Sequence, residues 1–336
     1  MTARGTTAVL GTGSWGTTFA AVLADAGNDV TVWGRSAETC REITREHHNE
    51  RYLPGVELPH RVTATTDIRT AVARAELVAV AVPSQVARAV LAEVADALEP
   101  DAVVVSLMKG VEPGTGERMS EVVREVLGLE ERRVAVVSGP NLAREIADHQ
   151  PTATVVAAVD EATAARVAHA CAAPYFRPYT NTDVVGVELG GAVKNVIALA
   201  VGMAQGVGYG DNTTASLITR GLAETTRLGL ALGARAETLA GLAGMGDLVA
   251  TCSSRLSRNH TLGRHIGEGM TLEQAVAATG GTAEGVRSCR AVLELADAHG
   301  VDMPISRAVA AVLYENLPVP AMTEALLSRP RRAEGR

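Results

Sequence analysis

Of the 31 basic residues in this 336-residue chain, only Lys109 and Lys194 are lysines; the other 29 are arginines. Where positive charge alone is needed, the chain uses arginine. A lysine amine can shed its proton in a tuned pocket, whereas a guanidinium stays charged. The two lysines are therefore candidates for proton transfer. Chance placement on a solvated surface is the ordinary alternative, but neither setting reads as a surface. Lys109 ends the run Ala102-Val-Val-Val-Ser-Leu-Met-Lys109, and Lys194 lies inside an apolar helical stretch.

Around the second lysine the chain reads Val187-Glu-Leu-Gly190-Gly191-Ala-Val-Lys194-Asn195. On a helix, Gly190, Gly191 and Ala198 share the face of Lys194. Paired glycines inside a helix cost stability, so they should serve close approach, of a ligand to the amine or of another element to the helix. Further on, Gly241-Leu-Ala-Gly244-Met-Gly246-Asp247 ends in an acid where a helix starts, the place of an N-cap. Ser257-Arg258-Asn259 opens the next helix. A hydroxyl, a guanidinium, an amide and free N–H groups there would hold an anion, although a capped surface helix would use the same residues.

The segment Gly11-Thr-Gly13-Ser-Trp-Gly16 follows a strand and opens a helix. That is the context a dinucleotide site requires. Gly11 permits the tight turn, Gly13 lets backbone approach a pyrophosphate, and Gly16 allows close helix–sheet packing. The second strand ends Trp33-Gly34-Arg35-Ser36 without the carboxylate that would bond ribose hydroxyls. Arg35 can pair with a 2′-phosphate instead. The reading is NADP(H) as the preferred cofactor and NAD(H) as the alternative; an Arg35 merely solvated in its loop would remove that preference.

The elements that must hold these residues fall into two halves. Thr6–Leu10, Asp29–Trp33, Leu77–Val82, Ala102–Leu107, Val134–Val137 and Ala153–Val159 read as strands, with helices between them such as Trp15–Ala26, Val86–Leu98 and Arg118–Leu127. This alternation predicts an α/β, Rossmann-type, doubly wound parallel sheet over residues 1–186. From about Val187 strand signals vanish. Glu188–Gln205, Thr213–Leu232, Thr271–Thr279, Glu284–His299 and Ser306–Asn316 read as helices. An all-α substrate and catalytic domain is expected over 187–329, and a disordered arginine-rich tail over 330–336.

Composition narrows the function. The chain is 47% hydrophobic and carries a net charge of −7, which supplies a core and argues against nucleic acid, whose binders need a basic face. Apolar runs such as Val196–Ala204 fall short of the roughly 18 residues a membrane span needs. A strand at Thr6–Leu10 leaves no room for a signal peptide. Cys40, Cys171, Cys252 and Cys289 are far apart, as in a reduced cytoplasmic protein. No histidine spacing suits a metal.

Taken in order, Gly11-Thr-Gly-Ser-Trp-Gly16, Val82-Pro-Ser84, Lys109-Gly110, Ser138-Gly-Pro140, Gly190-Gly-Ala-Val-Lys-Asn195, Gly244-Met-Gly-Asp247 and Ser257-Arg-Asn259 closely resemble bacterial NAD(P)-dependent glycerol-3-phosphate dehydrogenase, over about residues 5–328. The resemblance implies interconversion of dihydroxyacetone phosphate and sn-glycerol 3-phosphate for glycerophospholipid synthesis. No metal is expected, and a homodimer is one assembly open to the chain. The resemblance also implies that Lys194 accepts the proton with Asp247 beside it. Lys109, Gly139, Asn141, Lys194, Asp247, Ser257, Arg258 and Asn259 become substrate contacts. Ser14, Trp15, Arg35, Lys109, Ala143, Arg258, Thr282 and Glu284 become cofactor contacts, with Gly11, Gly13 and Gly16 in the turn. Two positions depart from the family pattern. Asn141 stands where Ser or Thr is common, and Gly280-Gly-Thr282-Ala-Glu284-Gly285 replaces Gly-Gln-x-Val-Glu-Gly.

A lysine near 10.4 is a poor base at neutral pH, so Lys194 is expected in an apolar helix near a second cation, Lys109, both of which favour the neutral amine. A related two-domain hydroxy-acid or hydroxyacyl dehydrogenase is the alternative reading. It would call for a catalytic His–Glu pair, and none is well placed.

Overall fold

The computed structural model describes residues 5–280 and 283–328. Eight strands form one sheet: β1 (Thr6–Leu10), β2 (Asp29–Trp33), β3 (Val62–Thr65), β4 (Leu77–Val80), β5 (Val103–Ser106), β6 (Val134–Ser138), β7 (Thr152–Ala157) and β8 (Phe176–Asn181). Their order is β3-β2-β1-β4-β5-β6-β7-β8. The helices of this half are α1 (Ser14–Asp25), α2 (Ala37–Arg45), α3 (Ile68–Val72), α4 (Ala87–Ala92), α5 (Met119–Leu127), α6 (Ala143–Ala147) and α7 (Glu161–Cys171). Two separate apolar clusters cover the two faces. Along β1, Val9 belongs to one, with Phe19 and Val167, and Ala8 and Leu10 to the other, with Leu91 and Met119. A sheet buried on both sides reads as continuous apolar runs, which is why the inner strands were legible.

The fold of this half departs from the expected one in three ways. β7 pairs antiparallel with β6, so β7 and β8 run against the other six strands. β3 and β8 carry no strand signal in the sequence because both are edges. Only Phe176 of β8 is buried, and the strand contains Pro178, which an edge tolerates. The helix expected over Val86–Leu98 is shorter, a 3-10 turn at Ser84–Val86 followed by α4.

Beyond Asn181 every regular element among the described residues is helical: α8 (Val184–Val207), α9 (Asp211–Ala231), α10 (Ala236–Ala240), a π-helical turn Leu242–Gly246, α11 (Asp247–Ser253), α12 (Arg258–Gly267), α13 (Leu272–Ala278), α14 (Glu284–Ala298), α15 (Pro304–Glu315) and α16 (Val319–Leu327). Helix α8 is the axis of this half. It has a mean hydropathy of 1.7 and the length to cross a membrane, but 89% of that window is buried by protein. A helix apolar all round is a core helix.

Helix α12 lies against α8 at nearly backbone-to-backbone distance. A Cβ on Gly202 would stand 2.1 Å from the His260 carbonyl oxygen, and one on Gly206 2.2 Å from that of Arg264. From the other side, a Cβ on Gly263 would stand 2.3 Å from the Leu199 oxygen, and one on Gly267 2.2 Å from that of Met203. Four glycines thus dock the helix whose first turn carries Arg258 onto the helix that carries Lys194.

Candidate active site

The site is built at the carboxyl ends of the parallel strands, where open α/β sheets bind ligands. Gly11 follows β1, Arg35 follows β2, Lys109 follows β5 and Gly139 follows β6. Gly11 adopts φ +129°, and a Cβ there would lie 2.7 Å from the Ala81 carbonyl oxygen. Gly13 has open space before it, whereas a Cβ on Gly16 would lie 2.2 Å from the Gly11 oxygen. The turn at Gly11 and the close packing at Gly16 thus exclude a side chain, and Gly13 leaves its side of the turn open. Helix α1 has no side-chain cap, so the first-turn N–H groups of Ser14 and Trp15 have no capping side chain to bond. The Trp15 indole Nε1 is buried without a partner. An uncapped helix start, an open Gly13 and an orphaned indole donor fit a dinucleotide. Ser14 Oγ donates to the Tyr52 carbonyl at 2.8 Å, which ties the loop after α2 to this turn. Ala143, at the start of α6, accepts from Thr18 of α1 at 3.2 Å. Arg35 stands exposed beyond β2, next to Ser36, which caps α2 by accepting from Thr39 N–H at 3.2 Å.

Beyond β5, three charged side chains converge. Asp247 is 1% exposed. Its Oδ2 accepts from Lys109 Nζ at 2.6 Å, and its Oδ1 accepts from Lys194 Nζ. Lys194 Nζ also donates to Thr251 Oγ1 at 2.8 Å, and Lys109 Nζ to the Gly139 carbonyl at 3.0 Å. Burial pushes the Lys109 ammonium down to about 8, with the Lys194 charge adding to the fall and Asp247 opposing it. Asp247 is not a helix cap. Gly246 holds that position, and the carboxylate turns inward to serve two amines.

The paired glycines of α8 resolve in favour of packing. A Cβ on Gly190 would meet the Ala243 carbonyl at 2.4 Å, and one on Gly191 would meet Ser138 Oγ at 2.7 Å and the Lys109 stem at 3.4 Å. Close approach here brings the Asp247 turn and Lys109 up to the helix of Lys194.

Ser257 caps α12, its Oγ accepting from His260 N–H at 3.2 Å. Arg258 is exposed at the first position of that helix. Its charge and those of Lys194 and Lys109 lower the Glu284 carboxyl against a larger upward push from burial, so Glu284 belongs to the same neighbourhood. The Asn259 carboxamide is committed to structure. Nδ2 donates to Asn195 Oδ1 at 3.0 Å, and Oδ1 accepts from Gly285 N–H at 2.8 Å. What Asn259 can offer an anion is its backbone N–H in the open first turn. Asn141 Nδ2 donates to Thr154 Oγ1 at 3.0 Å, while its Oδ1 is buried without a partner. Thr282 lies outside the described residues.

Sequence reasoning missed Thr251 and Ser138. Thr251 stands four residues after Asp247, one helical turn on, and that spacing was the available signal. Ser138 Oγ is buried and unpartnered beside Gly191 and Lys109; the Ser138-Gly-Pro140 motif was the available signal.

The family models for the N-terminus and C-terminus of NAD-dependent glycerol-3-phosphate dehydrogenase match residues 6–164 and 183–324. The chain belongs to this family. Among curated glycerol-3-phosphate dehydrogenases (NAD(P)+), that of Thermobifida fusca is 61% identical over 328 residues, covering 97% of this chain and 98% of its own. That of Streptomyces griseus is 61% identical over 330 residues, covering 98% of each. The crystal structure of glycerol-3-phosphate dehydrogenase from Coxiella burnetii superposes with a TM-score of 0.92 at 36% identity, over 97% of this chain and 99% of that one.

Proposed function

We propose that this glycerol-3-phosphate dehydrogenase family member interconverts dihydroxyacetone phosphate and sn-glycerol 3-phosphate, and that the shared Lys109–Asp247–Lys194 cluster is the observation that carries the reading. The Gly11–Gly16 turn at the start of α1 would hold a nicotinamide dinucleotide, which would supply or take up the hydride. Lys194 Nζ gives a proton to the carbonyl oxygen in reduction and takes it from the hydroxyl in oxidation. Asp247 and Thr251 aim that amine. Lys109 sets a second positive charge beside the reacting oxygen. The first-turn N–H groups of α12 that the Ser257 cap leaves free, with Ser257 and Arg258, hold the phosphate, and this distant grip orients the reacting carbon. Gly139 and Asn141 line the same cleft from the loop after β6, and Ala143 and Glu284 border the cofactor. The helical half from residue 187 supplies the proton-handling groups and the sheet half to residue 186 holds the dinucleotide, in a cytoplasmic enzyme, consistent with four buried and unpaired cysteines, that serves glycerophospholipid synthesis. A homodimer is the assembly we propose.

The direct test mixes purified protein, dihydroxyacetone phosphate and NADPH or NADH and follows absorbance of the reduced nicotinamide; no turnover with either cofactor refutes the reading. Arg35 is exposed and positive at the tip of β2, so NADPH is the proposed preference. Arg35→Asp should raise KM for NADPH by about tenfold or more relative to NADH, the worth of a charge-assisted hydrogen bond to phosphate. Equal changes would mean that Arg35 does not read the 2′-phosphate.

The Lys109 ammonium gives the pH dependence its sign. Below about 8 it is charged and above that it becomes neutral. Loss of a cation beside an anionic substrate weakens binding, so kcat/KM for dihydroxyacetone phosphate should fall as pH rises through that value. Lys109→Met should lower kcat/KM at neutral pH and abolish the limb. A limb of unchanged position in that variant would assign it to another group.

A further inference from the structure

Glu188 stands two residues before Gly190 on α8 and is 5% exposed. Its carboxylate takes three hydrogen bonds, all from the start of α5. Oε1 accepts from Ser120 N–H at 2.8 Å; Oε2 accepts from the Ser120 hydroxyl and from Arg118 Nη1, both at 2.6 Å. The Arg118 backbone in turn forms an antiparallel bridge with Val111, which closes the loop between them. Val111 lies two residues beyond Lys109 and shares the apolar core of Leu189 and Val193. On its outer side the same loop is gripped by Arg88 of α4, whose guanidinium meets Glu112 at 3.0 Å, Glu117 at 2.9 Å and, on α5, Glu125 at 2.8 Å.

A buried ion pair is weak evidence of stability, because desolvation offsets the attraction. Directional hydrogen bonds still fix a register. Glu188 and Lys194 ride on one helix, so whatever Glu188 grips is held at a set distance from the Lys194 amine. We infer that Glu188 is a positioning residue which, through Arg118 and Val111, sets where the Lys109 amine stands against Asp247 and Lys194. Its effect on turnover rests on the reading of Lys194 and Lys109 given above; its geometric content does not. The groups that act on Lys109 are Asp247 from α11, Lys194 from α8 and the Gly139 carbonyl from the loop after β6, with Glu284 of α14 and Arg258 of α12 in the same field. The acid itself is faced by Arg118 and Ser120.

The two-lysine composition makes the test direct. Protein labelled with 13C at lysine Cε gives two lysine signals, both from this cluster and readable without turnover; Lys109→Arg assigns them. Glu188→Gln keeps the shape and removes the charge. A loosened loop moves Lys109 toward water and away from Lys194, so its midpoint should rise from about 8 toward the ordinary lysine value of 10.5. A rise of at least roughly half a unit is expected. The kcat for dihydroxyacetone phosphate reduction should fall about tenfold, the scale of a sub-ångström misplacement, while KM for NADPH holds within about a factor of two. Glu188→Asp, which keeps the charge, should fall between the wild type and Glu188→Gln. An unmoved Lys109 titration in folded Glu188→Gln overturns the inference, even if the thermal midpoint drops. Should Glu188→Gln not fold, Arg118→Lys, which keeps the charge and loses the fork, is read by the same titration with the same decision. Absence of wild-type turnover would refute the assigned reaction and leave the lysine titration to decide Glu188.

Discussion

Lys194→Arg should fold, bind cofactor and lose turnover by about a thousandfold, within the range of general acid–base contributions. Lys194 is one of two amines on a single buried carboxylate, with Thr251 Oγ1 2.8 Å from its nitrogen. Arginine preserves the positive charge that Asp247 needs, so the cluster keeps its balance. A guanidinium does not give up its proton at any working pH and has no lone pair free to take one. Binding and chemistry can be separated because both tryptophans, Trp15 and Trp33, lie in the half that carries the glycine turn. Tryptophan fluorescence quenching by NADPH should therefore be unchanged while stopped-flow reduction is lost. Turnover like the wild type's would take Lys194 out of proton transfer. Lys194→Met provides a second view: it leaves Asp247 paired with Lys109 alone and should be equally inactive in both directions.

Gly263→Val should severely destabilise the helical half. A Cβ at this position would stand 2.3 Å from the Leu199 oxygen and 3.0 Å from its Cα and carbonyl carbon. Backbone, not a flexible side chain, lies on the other side, so α12 must move off α8. Overpacking of that kind costs more than about 3 kcal/mol. Differential scanning calorimetry should show a fall of several degrees in the transition that includes the helical half. In protein that remains folded, the Ser257–Asn259 turn is displaced, so KM for dihydroxyacetone phosphate should rise more than KM for NADPH. Gly210→Ala is the matched control. That glycine has nothing within 4 Å of a Cβ and a φ of −88°, which alanine also adopts. As the N-cap of α9 it should lose about 1 kcal/mol or less, and a loss as large as that of Gly263→Val would mean that the α8–α12 contact is not the cause.

Legibility followed burial. The inner strands β1, β4, β5 and β6 are covered on both faces and read as apolar runs, so they were found within a residue or two. The edges β3 and β8 have one strand neighbour each and present residues such as Thr63 and Arg177 to water, so no periodicity betrays them. The direction of β7 was equally hidden, because strand signals carry no sense of direction. Helix α8 was plain from composition. Its close seat for α12 was not, since Gly202, Gly206, Gly263 and Gly267 read singly as ordinary helix interruptions.

By itself the sequence determined the glycine turn for a dinucleotide, the change from alternating elements to helices near residue 187, and the residue types able to move a proton or hold a phosphate. These are local properties: the spacing of small and apolar residues dictates which element forms and which face it buries. Tertiary structure alone decided that Asp247 is the common counter-ion of Lys109, 138 positions away, and Lys194, 53 away, and not a cap on its own helix. It also decided that Asn259 is a brace and that Glu188 ties the lysine loop to α8. A charge or an amide takes its role from the partners it meets, and those partners are brought together only when the carboxyl end of the sheet and the α8 core pack against each other.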